Sequence, residues 1–179
     1  IKIRNIYLVE ILIMSTVLIV YYNRSGNTES MARLIAEGAR EAGAEVCLKL
    51  VQDTSPEDLK DADAVVLGSP VFYGQPSAKL LALLEDTVRF HGDFDGKVGG
   101  AFSSAANIGG GNETTILALL QALMVHGFVI QGNPVGDHYG PVSIASPDRR
   151  VEQQCRHYGR RIVALADKLH STRKKSCCS

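Results

Sequence analysis

The stretch Val17-Leu18-Ile19-Val20-Tyr21-Tyr22 is apolar without a break, rich in β-branched and aromatic residues, and runs straight into a polar loop and an amphipathic helical pattern. A strand with one wet face alternates apolar and polar residues. An unbroken run instead suits a strand covered on both faces, which requires a parallel sheet with helices above and below. In the adjoining helical pattern, Met31, Leu34, Ile35 and Ala39 share a face, and Gly43 ends it.

The same unit then recurs along the chain. Ala44 to Val51 predicts a second strand, Ser55 to Lys60 a short helix, and Ala64 to Leu67 a third strand. Pro76 to Val88 reads as a helix with proline in its first turn, Val98 to Phe102 as the fourth strand, Glu113 to Met124 as a helix and Phe128 to Gln131 as the fifth strand. A last helix starts near Ser146-Pro147-Asp148 and runs toward His170, with Val151, Cys155, Tyr158, Ile162, Leu165 and Leu169 at helical spacing. Five strands alternating with helices predict a doubly wound α/β fold, because parallel neighbours need crossover helices and those crossovers are right-handed.

With 179 residues the chain is expected to form one domain, over residues 14–170. Residues 1–13 precede Met14 and read as an N-terminal extension, either upstream-translated or an added edge strand, and residues 171–179 as a polar tail. The extension is apolar but carries Lys2, Arg4 and Glu10 and has no small-residue cleavage site, so neither a membrane span nor a signal peptide is expected.

Nineteen basic residues balance nineteen acidic ones. That balance lacks the positive footprint of a nucleic-acid binder and argues against a carrier that docks by strong charge. The four cysteines, Cys47, Cys155, Cys177 and Cys178, have neither zinc-ligand spacing nor the pattern of a disulfide framework, and a reducing cytoplasm is expected.

Doubly wound sheets bind ligands beyond the carboxyl ends of their strands. After the first strand comes Asn23-Arg24-Ser25-Gly26-Asn27-Thr28, whose small hydroxyl and amide side chains open onto a helix. Such a loop offers backbone N–H groups and the positive end of a helix dipole to a phosphate. Gly26 stands alone where a dinucleotide fingerprint would need three glycines, and no phosphate loop of the G-x-x-x-x-G-K-[ST] type occurs. The third strand is followed by Gly68-Ser69-Pro70, not by the acceptor carboxylate of a response regulator.

Two further patterns are set aside. Cys155 and Arg161 have tyrosine-phosphatase spacing but fall inside an amphipathic helix, and Asp93 and Asp95 read as a solvated turn. After the third strand, Pro70-Val71-Phe72-Tyr73-Gly74 pairs aromatics with glycine, and after the fourth, Ser104-Ala105-Ala106-Asn107-Ile108-Gly109-Gly110-Gly111 is a long loop that backbone-close ligands favour. A phosphate at one loop and a planar ring between the other two describe a flavin mononucleotide (FMN) site.

These segments, with Gly96-Lys97 leading to Phe102-Ser103-Ser104 and with His126-Gly127-Phe128, resemble the flavodoxin-like NAD(P)H:quinone oxidoreductases of the tryptophan-repressor-binding-protein type. The likeness runs from Met14 to about Leu169 in the family's order. It implies a flavodoxin-like five-stranded parallel sheet of order 2-1-3-4-5 with helices on both faces. It also implies non-covalent FMN, with phosphate at Asn23, Arg24, Ser25, Gly26, Asn27 and Thr28 and the ring along Pro70, Val71, Phe72, Tyr73 and Gly74. Ser104, Ala105, Ala106, Asn107, Gly109, Gly110 and Gly111 would follow ring and ribityl, and His126 would stand near the flavin. By the same resemblance NADH or NADPH is the electron donor, a quinone the acceptor, and a homo-oligomer, dimer or tetramer, the assembly.

No side chain is identified as catalytic, since the flavin carries such chemistry. Arg89, Phe90 and Tyr139 are candidates for the substrate face. The chain has no tryptophan, where reductases of this family often hold one over the flavin, and the segment between strands two and three is short. Two other readings stay open: a one-electron carrier like true flavodoxins, and an FMN-binding module without reductase activity.

Overall fold

The computed structural model describes residues 14–175, so the extension at 1–13 lies outside the described residues. The strands are β1 (Thr16–Tyr21), β2 (Glu45–Leu50), β3 (Ala64–Pro70), β4 (Val98–Ala105), β5 (Val129–Ile130) and β6 (Val142–Ile144). The helices are α1 (Asn27–Glu41), α2 (Pro56–Asp61), α3 (Ala78–Asp86), α4 (Asn112–Val125) and α5 (Arg149–Lys175). The sheet is parallel with order β2-β1-β3-β4-β5, and β6 also pairs with β4. This is the doubly wound order that the resemblance implied.

Continuous apolar strands end up covered twice, as the sequence pattern requires. Val17, Ile19, Val66 and Phe102 point into a core shared with Met31 and Ile35 of α1 and with Cys155, Tyr158 and Ile162 of α5. Leu18, Val20, Val65 and Leu67 point the other way, toward Leu80 and Leu83 of α3 and Ile116, Leu119 and Leu123 of α4. Cys155 is fully buried in α5, where burial pushes its thiol far up, and Arg161 on the same helix donates to the Gly132 carbonyl at 2.7 Å. Neither residue forms a phosphate cradle.

Several boundaries differ from expectation, and β3 and β4 run on past Leu67 and Phe102 to Pro70 and Ala105. Pro76 precedes α3 instead of opening it, because Ser77 takes the N-cap position and its hydroxyl accepts from the Lys79 N–H. The last helix continues to Lys175, into the segment read as a tail. The fifth strand is the largest difference: instead of Phe128 to Gln131, two short pieces share one edge of β4. Val129 and Ile130 pair with Val98 and Gly99, and Val142 to Ile144 pair with Ser103 to Ala105. The residues between them, 131–141, leave the sheet as an insertion, so Tyr139 lies within a split strand rather than after a completed one.

The split leaves the middle of β4 without a strand partner on that edge. The buried Tyr158 hydroxyl of α5 fills the gap, accepting the Ala101 N–H at 3.0 Å. A buried backbone donor is thereby satisfied by a side chain in place of a ladder. Gly100 makes room for it, since a Cβ there would meet the Tyr158 oxygen at 2.4 Å.

Candidate functional site

The loops that follow β1, β3 and β4 meet at the carboxyl ends of these strands and border an open cleft of about 150 Å³. Arg24, Ser25 and Asn27 line it from the first loop, Pro70 at the end of β3 with Val71 and Phe72 beyond it, and Ser104 and Ala105 at the end of β4 with Ala106 beyond them. Sequence reasoning thus chose segments that fold together.

The first loop turns tightly because Asn23 Oδ1 accepts the Gly26 N–H at 2.9 Å, a side-chain-to-backbone bond that closes the turn. Gly26 follows with φ of 91°, a left-handed conformation that a side chain would resist. As the N-cap of α1 it supplies no side-chain acceptor, so the first N–H groups of this fifteen-residue helix, which have no intrahelical partner, open toward the cleft uncapped. An uncapped helix N-terminus flanked by Ser25 and Asn27 is suited to a phosphate group. Asn27 is steadied from outside, its Oδ1 accepting from the Ser146 hydroxyl at 3.2 Å.

Thr28 lies deeper than the rest of the first loop. It is buried, and its hydroxyl meets the Ser104 hydroxyl at 2.8 Å, joining α1 to β4 under the cleft. Only one hydroxyl hydrogen can lie between the two oxygens, so the pair keeps a second donor, and Ser104 lines the cleft where that donor is useful.

The second loop is a two-residue hairpin. Phe72 and Gln75 exchange both backbone hydrogen bonds, at 2.9 and 3.0 Å, with Tyr73 at φ 53° and Gly74 at φ 78° between them. Both central residues are left-handed, a type I′ turn. Glycine suits that geometry and tyrosine does not, yet the Tyr73 ring projects fully exposed at 105% of its reference area. A bulky residue held in such a conformation is a feature that functional loops retain. The turn is locked to the third loop by Thr114, whose hydroxyl lies 2.7 Å from the Gly74 carbonyl and 3.0 Å from that of Gly111. Thr114 was not singled out from the sequence; its place in the first turn of the helix after the triple glycine was the available signal.

The third loop is open. Ala106, Asn107, Gly109 and Gly110 are exposed, and Gly111, at φ 106°, passes so close to Gly74 that a Cβ would come within 2.8 Å of its Cα. Below it, buried Asn112 donates to the carbonyls of Ser103 at 3.0 Å and Ser143 at 3.4 Å, tying α4 to the ends of β4 and β6.

Not every residue expected here arrives. His126 caps the carboxyl end of α4 and lies just before β5, whose first residue pairs with the first residue of β4. It is therefore at the amino end of the sheet, opposite the cleft, with its Nε2 3.0 Å from the Thr87 hydroxyl and its ring against Phe94. Arg89 and Phe90 share that end. Arg89 pairs with Glu57 at 2.6 Å, and Phe90 lies under the Lys60 ammonium at 4.8 Å. The reason is topological: α3 and α4 start at the cleft and run away from it, so residues at their far ends are remote from it. Tyr139, half exposed, lines a neighbouring cleft with Glu113, Asp137 and His138 rather than the first one.

A doubly wound sheet with an uncapped helix N-terminus at its switch point and two apolar, glycine-bearing loops beside it defines a flavodoxin-like nucleotide-binding protein. The flavodoxin family model matches residues 19–115. The chain is 32% identical to an NAD(P)H dehydrogenase (quinone) of Archaeoglobus fulgidus, over 87% of this chain and 100% of that protein. It is 41% identical to a flavodoxin of Aquifex aeolicus, over 84% and 86% of the two chains. In structure it superposes on a flavodoxin, WrbA-like protein from Agrobacterium tumefaciens with a TM-score of 0.73 and 26% identity, covering 86% of this chain and 98% of the other. The chain belongs to the flavodoxin-like NAD(P)H:quinone oxidoreductase family.

The residues present fit FMN. The uncapped α1 terminus with Gly26 offers an anion cradle, and the spare hydroxyl donor of the Thr28–Ser104 pair serves a polar linker. Val71, Phe72, Ala105 and Ala106 give apolar walls to a flat ring. Among the described residues no group of three or more potential ligands could hold a metal ion, and no helix is long and apolar enough to cross a membrane.

Proposed function

We propose that this protein is an FMN-dependent NAD(P)H:quinone oxidoreductase. The observation that carries the reading is the convergence of the three loops on one cleft that is anion-accepting at the α1 end and apolar at the other. When bound there, FMN supplies two-electron chemistry, reduction by hydride from NAD(P)H followed by reoxidation by a quinone.

The chain's own residues bind and orient. The N–H groups of α1, with Ser25 and Asn27, hold the phosphate, and Ser104 donates to the polar linker. The Val71–Phe72 and Ala105–Ala106 walls keep water from the ring. Tyr73 and the open Ala106-to-Gly111 loop stand exposed beside the cleft, and donor and acceptor use it in turn, in ping-pong order. The assembly is a homo-oligomer and the location cytoplasmic, as the family resemblance implies.

A visible spectrum of the purified protein with added FMN, an anaerobic NAD(P)H titration and then a quinone test the reading. Expected are a bound flavin band, bleaching directly to the two-electron form, and recovery with quinone. The 41% identity to an Aquifex aeolicus flavodoxin favours one alternative, an electron carrier. That reading would replace the first if NAD(P)H left the bound flavin oxidised while one-electron reductants gave a stable intermediate level of reduction.

A further inference from the structure

Tyr22, at the end of β1, and Phe72, in the hairpin after β3, meet edge to face with their ring centres 5.7 Å apart. A cation accompanies each ring: the Arg24 guanidinium is 6.0 Å from the centre of Phe72, and the Lys79 ammonium 5.7 Å from that of Tyr22. Arg24 and Phe72 line the cleft, so this two-ring, two-cation group reaches the cleft at its Arg24–Phe72 end, with Tyr22 and Lys79 behind.

The cations differ from most others in the molecule. Arg33, Lys49, Lys60, Arg89, Arg150, Arg156 and Arg160 each pair with a carboxylate. Among the described residues Arg24 and Lys79 have neither an ion pair nor a side-chain hydrogen bond, and the aromatic faces are their only partners. In a chain of zero net charge these two cations, held by aromatic faces and not by carboxylates, give this side of the cleft a local positive character.

Lys79 also sits in the first turn of α3, where the helix dipole disfavours a cation. It does not serve that helix. The same dipole adds to its attraction for an anion arriving from outside.

We infer that the Arg24–Lys79 pair binds the 2′-phosphate of the electron donor, making NADPH the preferred nucleotide over NADH. The inference rests on the oxidoreductase reading and deepens it. A phosphomonoester carries close to two negative charges at neutral pH and accepts from a guanidinium fork and an ammonium together, whereas the 2′-hydroxyl of NADH offers no charge. The Tyr22–Phe72 pair fixes both cations without neutralising them. The α1 terminus, a separate element, remains for the phosphate of FMN.

The test is calorimetric titration of the FMN-loaded protein with 2′,5′-ADP and with 5′-AMP, beside kcat/KM for NADPH and NADH. The expected result is at least about tenfold tighter binding of 2′,5′-ADP, in the range of a charge-assisted contact, and a similar NADPH:NADH ratio. In Lys79→Gln and Arg24→Gln both ratios fall together, and in the double variant they approach one. Because Arg24 also adjoins the α1 loop, Lys79→Gln is the cleaner variant. Equal affinity for the two adenosine phosphates, or ratios unmoved in the double variant, would overturn the inference. Failure of flavin to bind, seen in the absorbance before any nucleotide is added, would overturn the oxidoreductase reading instead. The same nucleotide titration on the flavin-free chain then decides the role of the two cations on its own.

Discussion

The hydroxyls of Thr28 on α1 and Ser104 on β4 lie 2.8 Å apart, both buried, at the floor of the cleft. Removing either leaves the other without its protein partner, which costs about 1–3 kcal/mol, whereas removing both costs less than the sum. Thr28→Val and Ser104→Ala are each expected to lower the urea midpoint, with the double variant recovering part of the loss. FMN affinity should weaken severalfold in every variant lacking Ser104, read by quenching of flavin fluorescence. Strict additivity of the two substitutions in stability would show that the hydroxyls do not act as a pair.

Tyr158 has a different task at the same strand. Its hydroxyl accepts the Ala101 N–H where the split fifth strand leaves β4 unpaired, and burial pushes the phenol up to about 12 despite that favourable N–H. Tyr158→Phe preserves the ring and strands a buried backbone donor. A loss of about 1–3 kcal/mol in urea unfolding is expected, large for the removal of one oxygen. An unchanged midpoint would mean that the Ala101 N–H finds another acceptor.

That split also marks where the sequence stopped being legible. The run Val17 to Tyr22 announced a doubly covered strand because all its side chains are apolar, and six of its residues pair or pack as expected. A strand of two or three residues leaves no period to read, and Gly132, Pro134, Gly136 and Gly140 between the halves looked like an ordinary loop. The three cleft loops were legible because hydroxyl, amide and glycine residues follow strands one, three and four. His126, Arg89 and Phe90 lie away from the cleft of their own chain, and chain order separates them from it: each follows a helix that has returned to the amino ends of the strands. Lys79 carried no signal in sequence, since its role depends on Tyr22, which is distant along the chain.

His126 supplies a pH dependence of stability. Its Nε2 faces the Thr87 hydroxyl, whose own hydrogen is donated to the Leu84 carbonyl at 2.6 Å, so Nε2 must be the donor and Nδ1 the bare nitrogen. Nδ1 is buried with no partner, and protonation there would place a charge without an acceptor. Burial, and secondarily the neighbouring His91, hold the imidazole below its usual range. The unfolded chain then binds more protons than the folded one as pH falls past about 6.5, so stability is full above that value and declines below it, through the folded pKa. The urea midpoint should drop between pH 7.5 and 5.5, and His126→Gln should flatten that slope. An identical slope in the variant would place the titration elsewhere.

The α1–α5 crossing admits no added atom. A Cβ on Gly38 would fall 2.1 Å from the Arg156 carbonyl oxygen, and one on Gly159 equally close to that of Ile35. Both neighbours are backbone, so neither can step aside by a rotamer change. Gly38→Ala or Gly159→Ala must push the helices apart and is expected to cost about 3 kcal/mol or more, at the upper end of overpacking. Gly43→Ala is the control: nothing lies within 4 Å of its Cβ, and only its φ of 92° opposes the change. Thermal unfolding should rank Gly43→Ala well above the other two, and a reversed order would mean that the crossing relaxes freely.

Tyr73 separates stability from function most directly. Its left-handed φ of 53° strains the hairpin, while its ring touches solvent on all sides. Tyr73→Gly relieves the backbone, since a type I′ turn accepts glycine at both central positions, and removes no buried contact. The variant should therefore be as stable as the parent or more so, by up to about 1 kcal/mol. If the ring covers the flat face of FMN, the variant should also bind the flavin more weakly, by up to about tenfold, the scale of one aromatic stacking contact. Tyr73→Phe, which keeps the ring, should restore the affinity but not the stability. An unchanged FMN dissociation constant in Tyr73→Gly would assign the exposed ring to the nucleotide donor or the acceptor rather than to the flavin, and steady-state KM values for NADPH and quinone in the same variant would say which of the two it meets.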